Sequence, residues 1–151
     1  MNVIECPNVW DGSGFDFVFL GGGFSNCPVW QKDMIKFLSK TELVLLNPRR
    51  ASFDVSKKSE TIFQIEWEFE HLKYADARLF WFPKETLCPI TLLELGKFIA
   101  GDAPLFVGIH PEYKRKLDVE TQLKLARPKD CDVYYSLEDL AEVVINWSEN
   151  L

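Results

Sequence analysis

Two glutamates in this chain stand where a carboxylate can do chemistry, Glu94 and Glu68. Glu94 lies in Phe80-Trp81-Phe82-Pro83-Lys84-Glu85-Thr86-Leu87-Cys88-Pro89-Ile90-Thr91-Leu92-Leu93-Glu94-Leu95-Gly96. That stretch reads as the end of a buried strand, a loop fixed by Pro83 and Pro89, and a helix whose first turn carries Glu94. A helix start leaves unpaired backbone N–H groups and a partial positive charge, which favour an ionised carboxylate. The same spacing, Thr91-x-x-Glu94, is also a capping box, in which the glutamate only returns a hydrogen bond to the backbone of Thr91. Glu68 belongs to a helix expected from Ser59 to about Ala75, where Ile62, Ile65, Phe69 and Leu72 recur at helical spacing and predict a stripe facing a sheet. At about 100° per residue, Glu68, Gln64 and His71 share one flank, with Glu68 nearest the stripe. A carboxylate at the rim of an apolar surface is half-desolvated, its pKa rises, and it suits a proton donor; a solvated boundary glutamate is the alternative.

Two further features suit a ligand. Phe17-Val18-Phe19-Leu20 is an apolar run of the kind found in a strand buried on both faces, and Gly21-Gly22-Gly23 follows it. Ser25, Asn26 and Pro28 then supply cap and first-turn signals for a helix to about Ser39. A glycine turn between strand and helix lets a ligand approach the backbone, although the third glycine of a dinucleotide fingerprint is missing, and a tight turn without a ligand is the alternative. A second buried run, Leu43 to Leu46, ends in Asn47-Pro48-Arg49-Arg50, two arginines suited to a carboxylate or phosphate at the mouth of a sheet.

These residues need elements to position them. Ala77 to Phe82 reads as a third buried strand and Leu105 to Ile109 as a fourth, reached after Gly101 and Pro104 end the helix that carries Glu94. A basic turn at Lys114-Arg115-Lys116, a helix near Val119 to Ala126, a short fifth strand at Val133 to Tyr135 and a closing helix opened by Ser136 complete the chain. Repeated strand, loop and helix predict an α/β fold, a single-domain doubly wound parallel five-stranded sheet of flavodoxin-like order 2-1-3-4-5 with helices on both faces. Its switch point, between the first and third strands, would bring the glycine turn, the Pro83–Glu94 segment and Glu68 to one crevice. Residues 1–16, with Pro7, Gly12 and Gly14, read as an N-terminal arm or short extra strand laid against a domain of residues 17–151.

Composition excludes several partners. With 47% apolar and 14% aromatic residues, 151 residues fit one domain with a proper core. A net charge of −6 argues against a nucleic-acid polymer or an anionic membrane, which require surplus Lys and Arg. Cys6, Cys27, Cys88 and Cys131 lack any Cys-x-x-Cys spacing, and His71 and His110 complete no metal set, so free thiols in a reducing compartment are expected, with no metal and no cofactor. No charged leader and no stretch near the ~20 apolar residues of a membrane span stand in the sequence, and a cytoplasmic protein is expected. Asn146-Trp147-Ser148 matches the glycosylation pattern without a secretion signal to give it meaning.

Taken in order, Phe19-Leu20-Gly21-Gly22-Gly23, Asn47-Pro48-Arg49-Arg50, Trp67-Glu68 with Ala75-Asp76, Phe80-Trp81-Phe82-Pro83 and Leu93-Glu94-Leu95-Gly96 resemble the nucleoside 2-deoxyribosyltransferase-like family. The resemblance implies that Glu94, the glutamate of Glu-Leu-Gly, is a nucleophile, and that Glu68, eight residues before Asp76, protonates the leaving base. It implies cleavage of the N-glycosidic bond of a (2-deoxy)nucleoside or nucleotide through a glycosyl-glutamate, with the sugar passing to another nucleobase or to water. It also implies a homodimer or higher homo-oligomer, for which the region after Ile109, with His110, Tyr113 and Arg115, is expected near a neighbouring pocket. The substrate side would be formed by Phe19, Gly21, Gly22, Gly23, Phe24, Arg49, Gln64, Trp81 and Cys88, with Phe24 and Trp81 able to stack on a base. Two positions depart from the pattern: Phe19 stands where many members have tyrosine, and Cys88 replaces an acid six residues before the nucleophile. Both touch sugar and base recognition, which leaves ribo against 2-deoxy, and transfer against hydrolysis, open. The two carboxylates would divide labour as in retaining glycosidases, Glu94 ionised at a helix N-terminus and Glu68 holding a proton. A non-catalytic nucleotide-binding sensor, with Glu94 as a cap only, and a flavin-binding electron carrier share this fold. A phosphorelay receiver does not fit, because the third strand ends in Phe82-Pro83 without an acceptor aspartate.

Overall fold

The computed structural model describes residues 1–14, 16–51 and 54–151; Phe15 of the arm lies outside them. Among the described residues the elements run β1 (Asn2–Glu5), β2 (Phe17–Gly22), α1 (Trp30–Phe37), β3 (Val44–Asn47), α2 (Lys58–Tyr74), β4 (Ala77–Phe82), α3 (Pro89–Phe98), β5 (Leu105–Ile109), α4 (Lys116–Ala126), β6 (Val133–Tyr134) and α5 (Leu137–Glu149). The strands form one parallel sheet of order β1-β3-β2-β4-β5-β6. The five strands expected from the sequence keep their expected order, and the sheet differs by a sixth strand, β1, which the arm adds to the β3 edge. Ile4 pairs with Leu46 and Glu5 with Asn47, and two further backbone bonds, Asn2 N–H to Leu43 and Cys6 N–H to Asn47, both at 3.0 Å, extend that pairing.

Alternation along the strands divides the core between the two faces. On one side Val18, Leu20, Leu45, Leu79 and Trp81 pack with Trp30, Met34 and Leu38 of α1 and Leu140, Ala141 and Val144 of α5. On the other Phe19, Leu46, Phe80, Phe82 and Val107 pack with Trp67 and Leu72 of α2, Leu95 of α3 and Val119 and Leu123 of α4. The helices of Glu68 and Glu94 therefore share one layer. Two buried arginines close the far ends of these helices by taking carbonyls that no helical N–H can reach. Arg78 donates to Leu72 and Lys73 at 3.0 Å each, and Arg127 donates to Phe98 at 3.2 Å, to Ile99 at 3.1 Å and to Ala103 at 2.8 Å. Ser136 caps α5 as expected, accepting from Asp139 N–H at 3.1 Å.

Two expectations about helices are corrected. The first helix begins at Trp30 rather than at the Ser25-Asn26-Pro28 signals. Asn26 takes φ +57°, outside the helical range, and Pro28 disfavours helix at the residue before it, so 24–29 form a loop. In α2, the stripe that was expected to face the sheet faces outward: Ile62, Ile65 and Phe69 are exposed, and Gln64, Trp67, His71 and Leu72 are buried. The polar row turns inward because the arm supplies a partner to each member. Cys6 Sγ donates to Gln64 Oε1 at 3.1 Å, Trp67 Nε1 donates to the Asn8 carbonyl at 2.8 Å, and Trp10 N–H donates to His71 Nε2 at 3.2 Å. The imidazole also stacks on Trp67, with centroids 3.8 Å apart, and its Nδ1 meets the Trp67 carbonyl at 2.7 Å. Buried polar groups with partners incur little of the cost that unpaired ones would.

Candidate active site

The C-terminal end of β2 is the topological switch point, with β3 on one side and β4 on the other. There Gly21, Gly22, Phe24, Ser25, Pro48, Thr61, Gln64, Ile65, Glu68, Ile90, Thr91 and Glu94 line a cavity of about 220 Å³. Gly22 has φ +149°, and a Cβ on it would overlap the Trp81 carbonyl oxygen, so no side chain intrudes on this floor. Thr61, Gln64, Ile65 and Glu68 are one face of α2 at i, i+3, i+4 and i+7, and Ile90, Thr91 and Glu94 are one face of α3.

Glu94 is in the second turn of α3, not the first. The helix opens at Pro89, whose fixed φ suits a first position, and Cys88 at φ +53° precedes it as N-cap. Thr91 is therefore inside the first turn and cannot be the N-cap that a Thr91–Glu94 capping box requires. The carboxyl lines the cavity instead. The residue is 8% exposed, burial raises its pKa to about 8, the charge of Glu68 pushes the same way, and Lys97 opposes both. Glu68 is raised to about 7 by burial, against which the Gln64 amide favours the ionised form. The expected contrast, Glu94 ionised and Glu68 protonated, is corrected: both are pushed up, Glu94 further. The helix terminus is a turn away from Glu94, and the field of a helix end falls off within that distance.

The other predicted substrate residues divide. Gly21, Gly22, Phe24 and Gln64 line the cavity with the two glutamates. Phe19 is fully buried 6.5 Å from the Trp67 ring and belongs to the core. Gly23 is behind the floor, its carbonyl held by Trp30 Nε1 at 2.9 Å and by Gln31 Nε2 at 3.3 Å. Trp81 packs on the opposite face of the sheet. Cys88 is buried at the N-cap of α3, its thiol 3.6 Å from the Thr86 carbonyl. Arg49 spends its guanidinium on the 24–29 loop, donating to the carbonyls of Cys27 at 3.0 Å and Pro28 at 2.8 Å and to Gln31 Oε1 at 3.3 Å. It also stands over the Phe24 ring, 5.9 Å from the centroid, and so holds a loop that lines the cavity rather than an anion. Ser25, Pro48, Thr61, Ile65, Ile90 and Thr91 line the cavity without having been expected to. The period of Thr61 and Ile65 with Glu68 carried the signal, had the face been traced from the glutamate instead of from the apolar residues.

A larger open hollow of about 850 Å³ beside the arm, lined by Glu5, Cys6, Asp54, Glu60 and Arg50 among others, is not lined by Glu68 or Glu94. Among the described residues no group of His, Cys, Asp and Glu is arranged to hold a metal, and no helix is long and apolar enough to cross a membrane. The family model described as "nucleoside 2-deoxyribosyltransferase like" matches residues 17–113, from the start of β2 past the end of β5. No curated protein matches the chain.

Proposed function

We propose that this chain, which belongs to the nucleoside 2-deoxyribosyltransferase-like family, cleaves the N-glycosidic bond of a (2-deoxy)nucleoside or nucleotide and passes the sugar to another nucleobase or to water. The observation that carries this reading is the convergence of Glu68 and Glu94 on one cavity whose floor is bare backbone at Gly21 and Gly22. Bond breaking builds positive charge at C1′, and one carboxylate must meet that carbon while a second group protonates the departing base. Glu94 Oε attacks C1′, the C1′–N bond breaks with its electron pair leaving on the base, and the Glu68 proton goes to that base nitrogen. The glycosyl-Glu94 ester is then opened by an acceptor base or by water, whose proton returns to Glu68. In the free protein the two buried carboxyls hold a proton between them near neutrality. A sugar whose C1′ gains positive charge beside Glu94 favours the ionised form there, and a basic ring nitrogen beside Glu68 favours the proton there.

The cavity is smaller than the ~300 Å³ and more of typical ligand sites, and its rim is apolar, with Ile65 and Ile90 each 58% exposed. Phe69 at 51% and Leu93 at 57% continue that surface across α2 and α3. A second copy of the chain seated on this face would enlarge and close the site. Tyr113, one of the residues expected at such a contact, is 3% exposed and donates its hydroxyl to the Leu87 carbonyl at 2.5 Å, so it braces the loop before α3 instead.

The test is incubation with ribo- and 2′-deoxyribonucleosides and their 5′-monophosphates, with and without an acceptor base, followed by chromatography and intact-mass measurement. A new nucleoside or a free base, with a sugar adduct that is lost in Glu94→Ala, is expected. Tight binding of one nucleotide without turnover would replace this reading by a nucleotide sensor.

A further inference from the structure

Resting on the acid role given to Glu68, we propose that Cys6 is a positioning residue for Glu68 that acts through Gln64, so that the arm outside the matched region is part of the catalytic apparatus. Gln64 Oε1 accepts the Cys6 thiol hydrogen at 3.1 Å, and Gln64 Nε2 donates to the Pro48 carbonyl at 2.8 Å. An amide nitrogen carries two hydrogens. With one committed to Pro48, the second N–H is the donor that remains for the Glu68 carboxylate, one helical turn on, where the amide favours the ionised form. A flipped amide would set its oxygen against the Pro48 carbonyl and against the carboxylate, so the two anchors agree on one orientation.

Strand pairing places these anchors. Cys6 N–H donates to the Asn47 carbonyl at 3.0 Å, one residue before Pro48, so docking of β1 on β3 brings the thiol and the Pro48 carbonyl to the same amide. Cys6 is 1% exposed, and burial pushes its thiol up to about 11, which keeps the proton needed for donation at neutral pH. It does not line the Glu68–Glu94 cavity, whereas Gln64 does, which makes Cys6 a support behind the site and not a group that meets substrate. The Trp67–Asn8 and His71–Trp10 bonds tie the next residues of the arm along the same row of α2 and hold the thiol in register.

The experiment is an NMR titration of protein carrying glutamate labelled with carbon-13 at Cδ, with Glu68→Gln identifying the signal. Cys6→Ala and Cys6→Val, the latter keeping most of the buried volume, are expected to move the Glu68 midpoint upward by roughly half a pH unit or more. Cys6→Ser, whose hydroxyl still donates, is expected to keep it. Wild-type midpoints in the Ala and Val variants, or an equal displacement in the Ser variant, would overturn the proposal. In the unaltered chain the Gln64 side-chain amide hydrogens are expected to exchange slowly with solvent, and fast exchange would overturn the anchoring without any substitution. None of these readings needs a substrate, so absent turnover in the wild type counts against the glycosidic reading alone.

Discussion

Glu68 on α2 and Glu94 on α3 approach one cavity so closely that the charge of the first raises the pKa of the second. Burial is the larger cause in both, and together these influences bring Glu68 to about 7 and Glu94 to about 8. Such a pair loses its protons in two steps that belong to the pair, and between them one carboxyl is ionised while the other is not. An acid and nucleophile couple needs one such proton, and because Glu94 holds it more tightly in the free protein, bound substrate must draw it onto Glu68.

The pH dependence of kcat/KM should therefore be bell-shaped, rising as the first proton leaves near pH 7 and falling as the second leaves near pH 8. Initial rates across pH 5–10 on a substrate that does not itself titrate in this range would measure it. A flat profile would remove the shared-proton picture.

Glu68→Gln should lower turnover by about 10²–10⁴-fold, with the smallest loss for nucleosides whose base leaves readily without a proton. The sugar adduct on Glu94 should persist in this variant with good leaving bases. Equal losses for good and poor leaving bases would deny Glu68 the role of proton donor.

The same burial has a stability consequence of fixed sign. A carboxyl whose folded pKa is raised above its unfolded value keeps a proton in the folded state that the unfolded chain gives up, so stability is lost as pH rises from the unfolded pKa, near 4.3, through the folded one. For Glu94 that window ends near pH 8. Glu94→Gln should be more stable than wild type at pH 9 by on the order of a few kcal/mol, and so melt at a higher temperature there, and differ little at pH 4. Thermal melts at the two pH values decide this.

His71 gives the arm the opposite dependence. Its Nε2 accepts from Trp10 N–H, so the ring is neutral, and burial lowers its pKa. A base with a depressed folded pKa contributes stability above its unfolded value of about 6.5 that is lost as pH falls. Hydrogen exchange at Trp10, corrected for intrinsic rate, should therefore quicken between pH 7.5 and 5.5. Unchanged protection would mean that the imidazole does not hold the arm.

Phe69→Asp and Leu93→Asp place charge on the apolar face of α2 and α3 outside the cavity lining. Light scattering should find wild type as a dimer or larger, and these variants as monomers with reduced turnover. A monomeric wild type with full turnover would remove the second copy from the site.

Much of the fold was legible because buried parallel strands are written as continuous apolar runs, as in Ala77 to Phe82, and because Gly21–Gly23 punctuates the first of them. That Glu68 and Glu94 reach the same end of the sheet was legible for the same reason, since each is on a helix anchored between two such strands. The facing of α2 was not. Gln64 and His71 turn inward beside Trp67 and Leu72, the partners of Gln64, Trp67 and His71 come from residues 6, 8 and 10, and no local period reveals a partner about sixty residues away. The protonation of Glu94 was misjudged because the helix starts at Pro89, which moves the residue one turn inward and exchanges a helix-end environment for a buried one.

The sixth strand also sets an order of events. β1 is made before β3, yet its hydrogen-bonding partner is Val44–Asn47, and the rest of the arm needs Gln64, Trp67 and His71 on α2. The arm, which precedes β3, thus gains its full set of contacts only once residues well beyond β3 are in place. Until β1 docks, the β3 edge has no strand against it on that side, and its backbone groups and the apolar Val44-Leu45-Leu46 are open to pairing with other chains. In this molecule the arm that steadies the acid is also what covers the apolar edge of β3, leaving β1 outermost.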